Sequence, residues 1–171
     1  EDSKLKNELF TSLKERTENV MIVDVARNDL SRIAKKGSVI VEKLYNIETY
    51  EQVHQMVSTV GCELRDNISF QDILHATFPM ASMTGAPKIR AMQLIDNFEN
   101  YSRGPYSGCM GYIKENGDFD LNVLIRSIFY NEKESYLSFS VGSAITAMCD
   151  PEKEYEECLL KAAALKKALE E

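Results

Sequence analysis

Residues 107–146, SGCMGYIKENGDFDLNVLIRSIFYNEKESYLSFSVGSAIT, carry three apolar-rich runs separated by two turn-forming tetrapeptides. The runs are Ser107 to Ile113, Phe119 to Tyr130 and Tyr136 to Thr146. Glu115-Asn116-Gly117-Asp118 and Asn131-Glu132-Lys133-Glu134 connect them, and both suit hairpins, so the stretch predicts an antiparallel meander. After it, Asp150-Pro151 supplies an N-cap and a first-turn proline for a closing helix of about twenty residues. Helices segregated from an antiparallel sheet make the chain α+β.

Working back toward the start, Pro87 opens a predicted helix over Lys88 to Phe98, with Ile89, Met92 and Ile95 on one face. A loop, Phe78 to Ala86, precedes it. Ser69 reads as the N-cap of a short helix from Phe70 to Thr77, with Asp72 in its first turn. A further helix is expected over Tyr50 to Val60, and Ser38 to Leu44 alternates as a strand. The first element runs from Ser3 to Ile33 as a helix with Leu5, Leu9, Leu13 and Val20 at helical spacing. Its segment Val20 to Val25 is apolar nearly all round and is expected to be deeply buried.

The 171 residues form one domain, or a large piece of one. Hydrophobic residues at 44% suffice for a core, and the net charge of −7 argues against nucleic acid as a partner. A small anion stays compatible with an acidic protein, because a local cation cluster can bind one. Cys62, Cys109, Cys149 and Cys158 form no CxxC pair, so reduced thiols in a cytoplasmic protein are expected. No apolar run approaches the ~20 residues of a membrane span, and no membrane partner is expected. The polar start, Glu1 to Lys6, has no Met and reads as part of a longer chain.

Glu154, Glu157 and Lys161 share one face of the last helix. They are either a solvated acidic first turn, which the helix dipole favours, or a cation site with a lysine for an anionic ligand. Glu18, just before the apolar run, is the natural second carboxylate. Asp24, Arg27, Asn28 and Asp29 form an internal ion-pair network or part of a site. Arg126 sits on a strand whose two faces are both apolar, so its guanidinium needs an anion, from either an internal carboxylate or a ligand. Ser82 to Lys88 leads a loop into a helix start, a place suited to anions. Gly142-Ser143-Ala144 lets backbone come close to a ligand. His54 and His75 read as structural.

Six ordered blocks then become recognisable: Glu18 to Asp24, Arg27 to Leu30, Gly37 to Val39, Thr84 to Met92, Gly111 to Ile113 and Ile125 to Ser127. They resemble the chorismate-binding catalytic domain shared by aminodeoxychorismate synthases, anthranilate synthases, and isochorismate and salicylate synthases. The resemblance covers residues 1 to 171 as the C-terminal portion of a single domain, an antiparallel sandwich with outer helices. It implies Mg²⁺ held by Glu18 and Glu157, with Glu154 close to the metal. It implies that Arg126 and Tyr106 hold the enolpyruvyl carboxylate, that Thr84, Gly85 and Gly142 line the substrate, and that Lys161 and Ser38 are polar groups with catalytic roles.

Thr84-Gly85-Ala86-Pro87-Lys88 after Phe78-Pro79 looks most like aminodeoxychorismate synthases. These aminate chorismate to 4-amino-4-deoxychorismate, a folate precursor, with ammonia from a glutamine amidotransferase partner. An anthranilate synthase is the enzyme alternative, and a non-catalytic chorismate-binding module the alternative of another class. The nucleophilic lysine of the family's Pro-Ile-Lys-Gly-Thr segment is expected upstream of Glu1. Two departures stand inside the chain: Gln55 where many relatives have His, and Ala144 where glycine is common.

Overall fold

The structure, a computed structural model, describes residues 2–50, 53–147 and 149–170. The chain divides after Asn100 into two compact units. Both units combine helices with antiparallel strand pairs, an α+β architecture. Among the described residues no helix is long and apolar enough to cross a membrane. All four cysteines are free thiols.

The first unit opens with two helices, α1 (Asp2–Thr11) and α2 (Leu13–Ser31), not one. Ser12 breaks them: its backbone is extended and its hydroxyl accepts the Glu15 N–H at 3.4 Å as an N-cap. Deep burial of Val20 to Val25 is also corrected. Only Val23 is buried, while Val20 is 42% exposed, because α2 presses a single side onto the neighbouring sheet.

That sheet pairs β1 (Ile40–Thr49) with β2 (His54–Gly61). The helix expected over Tyr50 to Val60 is therefore a strand, with Glu51 and Gln52 outside the described residues. Its β-branched residues Val57, Thr59 and Val60 suit a pleated surface, and pairing with β1 overrides any helical spacing. Between Lys43 and Asn46 the ladder shifts register, and Tyr45 takes φ 56°. Ser58 secures this bulge: its hydroxyl accepts the Tyr45 N–H at 3.1 Å and donates to Asn19 of α2 at 2.6 Å. The Arg16 guanidinium lies 4.6 Å over the Tyr45 ring. Two neighbours of Glu18 are thus anchored on the hairpin.

Helix α3 (Phe70–Thr77) follows the expected bounds. Ser69 and Asp72 form a reciprocal capping box: the Asp72 N–H reaches the Ser69 hydroxyl at 3.2 Å, and the Ser69 N–H reaches the Asp72 carboxylate at 2.9 Å. The Ser69 hydroxyl also donates to that carboxylate at 2.6 Å. These two donors, the hydroxyl first, hold the Asp72 carboxyl below its ordinary value. A depressed folded value means that the cap is fully present at neutral pH and fades as pH falls through that lowered value. Ser69→Ala is expected to cost about 1 kcal/mol of local stability. It should also flatten the acid-induced fraying of α3, measured by amide exchange between pH 6 and pH 3.

A 3-10 turn (Ala81–Met83) and helix α4 (Lys88–Phe98) complete the unit, with Pro87 as the N-cap rather than the first helical residue. The α4 face stays open, with Ile89 68% and Phe98 78% exposed.

The second unit holds the hairpins β3 (Cys109–Ile113) with β4 (Phe119–Val123) and β5 (Phe129–Asn131) with β6 (Tyr136–Ser138). The expected meander is thus two separate two-stranded sheets. The strand expected over Phe119 to Tyr130 ends early. After Leu124 exchanges hydrogen bonds with Ser107 and Gly108, the Ile125 N–H turns back to the Val123 carbonyl at 3.0 Å. Residues 139–146 are likewise not strand. Helix α5 (Pro151–Glu170) starts where expected, and the Asp150 carboxylate accepts the Glu152 N–H at 3.1 Å. Along it Tyr155 and Leu159 are exposed, whereas Glu154, Ala162 and Leu165 are buried.

Candidate functional site

Spacings of three and four along α5 put Glu154, Glu157 and Lys161 on one face. The structure uses that face to grip the segment before the helix. The Ser143 hydroxyl donates to the Glu154 carboxylate. The Lys161 ammonium donates to the Gly142 carbonyl at 3.0 Å and pairs with Glu157 at 2.7 Å. Gly142 in turn lies against Tyr106, because a Cβ on it would stand 2.9 Å from the Tyr106 hydroxyl. Tyr106 is buried, with the Arg103 guanidinium 6.0 Å over its ring. Glu154, Glu157, Lys161, Gly142 and Tyr106 are therefore brought together around residues 142–143.

Burial separates the two carboxylates. Glu157 is half-exposed, so its pairing with Lys161 contributes at most about 1 kcal/mol. Glu154 is only 4% exposed, and a carboxylate in that position needs strong compensation. The solvated first turn is excluded for Glu154. Ser143, a partner of this carboxylate, was readable in the sequence only as one small residue among three.

Arg126 is not part of this cluster. It stands exposed on the turn that ends β4, in the left-handed region at φ 50°, not on a strand covered on both faces. Departure from the ladder at Ile125 is the cause.

In the first unit, Glu18 is half-buried on α2 with its Oε1 shut off from solvent. Asp24 and Arg27 form an exposed pair at 3.1 Å. Asp29 is buried and pairs with Lys88, so the polar group of α2 splits between surface and interior. The Thr84 hydroxyl donates to the Met80 carbonyl at 3.1 Å, holding the loop in a tight turn. Gly85 has φ 148°, and a Cβ there would come within 3.0 Å of Ala91, so only glycine fits. The Ser38 hydroxyl is engaged with backbone, to the Lys35 carbonyl at 2.8 Å and from the Glu63 N–H at 3.2 Å.

His54 and Gln55 lie on β2, not on a helix, so their side chains point to opposite faces of the sheet. His54 pairs with Asp2 at 2.6 Å and cannot take over a role at position 55. An apolar cleft of about 370 Å³ beside Val20, Val23, Val41 and Leu44 is edged by Asp24 and Arg27, and its walls do not suit a doubly charged anion.

Within neither unit do three His, Cys, Asp or Glu side chains converge on a metal position, among the described residues. Glu154 and Glu157 nevertheless offer hard oxygen donors from one helix face. Mg²⁺ asks for one or two carboxylates and fills the rest of its shell with water and ligand oxygens, so this donor set fits it.

Residues 1–167 match the family of chorismate binding enzymes. The chain is 46% identical to anthranilate synthase component 1 of Aquifex aeolicus over 99% of this chain and 34% of that protein. It is 48% identical to the chloroplastic aminodeoxychorismate synthase of Arabidopsis thaliana over 96% of this chain and 18% of that one. The crystal structure of anthranilate synthase component I from Streptococcus pneumoniae resembles it with a TM-score of 0.81 at 34% identity, over 94% of this chain and 37% of that chain. The chain thus spans about a third of the length of the first of these curated relatives and about a fifth of the second.

Proposed function

This chain belongs to the chorismate binding enzyme family, and from that premise we propose that it is the C-terminal catalytic part of an aminodeoxychorismate synthase component 1. The observation that carries this reading is the cluster around residues 142–143. It combines a buried carboxylate, a second carboxylate, an ammonium and a buried phenol, the mixture needed to hold a small dianion beside a cation.

Glu18 and Glu157, with Glu154 beside them, would hold Mg²⁺. When bound, it neutralises the ring carboxylate of chorismate. Lys161, kept in place by the Gly142 carbonyl and Glu157, adds positive charge next to the same dianion. Tyr106, buried beside Gly142, binds the enolpyruvyl carboxylate. Thr84 and Gly85 line the substrate from their loop, and Ser38 is a polar group of the same pocket. Ammonia from a glutamine amidotransferase partner adds at carbon 4, and the 4-hydroxyl leaves as water. Unpaired thiols suit a reducing compartment such as the cytoplasm.

Near-equal identity to an anthranilate synthase keeps a second reading in view, conversion of chorismate to anthranilate. Full-length enzyme given chorismate, Mg²⁺ and ammonium separates the two by mass spectrometry. The expected product keeps the enolpyruvyl group and carries an amine in place of the hydroxyl. Anthranilate would establish the second reading. Chorismate bound but unconverted would leave a binding module.

A further inference from the structure

Lys88 opens α4, where its charge is misplaced. The positive end of the helix dipole lies there and disfavours a cation. Lysines in such positions ordinarily stay in water. This one turns inward and is only 14% exposed at its side chain. Its ammonium donates to the carboxylate of Asp29, a residue 59 positions earlier on α2 and itself 6% exposed at its side chain. It also donates to the Pro79 carbonyl at 2.7 Å and approaches the Thr77 carbonyl at 3.5 Å. Three ammonium hydrogens thus meet three acceptors.

Two of those acceptors lie where the 78–87 loop begins, and Lys88 follows its last residue. The side chain therefore reaches back across the loop, closes it into a ring, and fastens that ring to α2. A ring of this kind restricts the loop far more than its two chain ends do. A desolvated ammonium is expensive to maintain, and stability alone is served as well by an apolar pair.

We propose that Lys88 is a positioning residue that holds the loop of Thr84 and Gly85 in its substrate-facing shape, with Asp29 as its anchor. This rests on the reading of Thr84 and Gly85 as part of the chorismate pocket.

The test uses the full-length enzyme carrying Asp29→Leu and Lys88→Met together, an exchange that leaves no buried charge alone. Amides of residues 80–86 are expected to exchange at least about 10-fold faster than in wild type. KM for chorismate is expected to rise about 10-fold with kcat changed far less, as lost uniform binding requires. Wild-type exchange and wild-type KM in the folded double variant would overturn the proposal, because the pair would then be only a stabilising contact. Should the leucine–methionine pair fail to fold, Asp29→Asn with Lys88→Met gives the same comparison. If wild type does not convert chorismate, the pocket reading fails, while the exchange rates still decide on the clamp.

Discussion

Glu157→Gln in the full-length enzyme is expected to lower Mg²⁺-dependent amination of chorismate by about 100-fold or more. Glutamine keeps the size of the side chain and removes its charge, and a hard divalent ion depends on that charge. Loss of supporting groups around a metal already costs about 10–100-fold, so loss of a ligand belongs at or beyond the upper end. The same change should hardly touch folding. Glu157 is half-exposed and its pairing with Lys161 lies at the surface, where such pairs contribute at most about 1 kcal/mol. Initial rates across a Mg²⁺ titration, beside a thermal melt, make the check. A near-normal melt with collapsed rates is expected. Retained activity with unchanged Mg²⁺ dependence would refute the metal assignment.

Gly111→Ala is expected to be the most damaging single methyl group in the second unit. Gly111 pairs with Leu121 across β3 and β4. A Cβ at position 111 would stand 1.8 Å from the Asp120 carbonyl oxygen and 2.9 Å from the Leu121 Cα. Both are backbone atoms, so no side chain can rotate away. Among the described residues β3 and β4 form a two-stranded sheet, and the clash falls within its ladder. Overpacking against movable side chains costs about 1–3 kcal/mol, and here the loss should reach about 3 kcal/mol or more. Gly117→Asn supplies the contrast. Gly117 has φ 89° with open space around it, and asparagine tolerates that region better than most residues. Thermal unfolding of both variants, in the full-length enzyme, should show a large drop for Gly111→Ala and little change for Gly117→Asn.

Local chemistry was the part of the fold that the sequence made legible. Ser69 with Asp72, Asp150 with Pro151, and the Asn116-Gly117 turn all act within a few residues, and each appears where its residues predict. Val57 and Val60 were not decisive in the same way. Their spacing also fits a helix face, and only the partner strand β1 settles them as a strand. Arg126 shows a second limit, because alternation cannot reveal where a ladder of hydrogen bonds ends.

At the candidate site, the shared face of Glu154, Glu157 and Lys161 follows from helix geometry. The burial of Glu154 does not, because it depends on Ser143 folding back from the preceding segment. Lys88 did leave a signal, a cation at a helix N-terminus, but its partner Asp29 is set by tertiary packing. Gly111 belongs to one of the six sequence blocks, and the nearness of the Asp120 carbonyl supplies its physical reason.

Isothermal titration of Mg²⁺ into full-length wild type, Glu18→Gln, Glu157→Gln and the double variant, each with chorismate present, is the most direct test of a shared ion. Two carboxylates on one ion predict that each single change weakens binding by about 100-fold and that the double change adds little more, the strong non-additivity of coupled groups. Wild-type Mg²⁺ affinity in Glu18→Gln would contradict the account, since Glu157 would then bind its ion without Glu18.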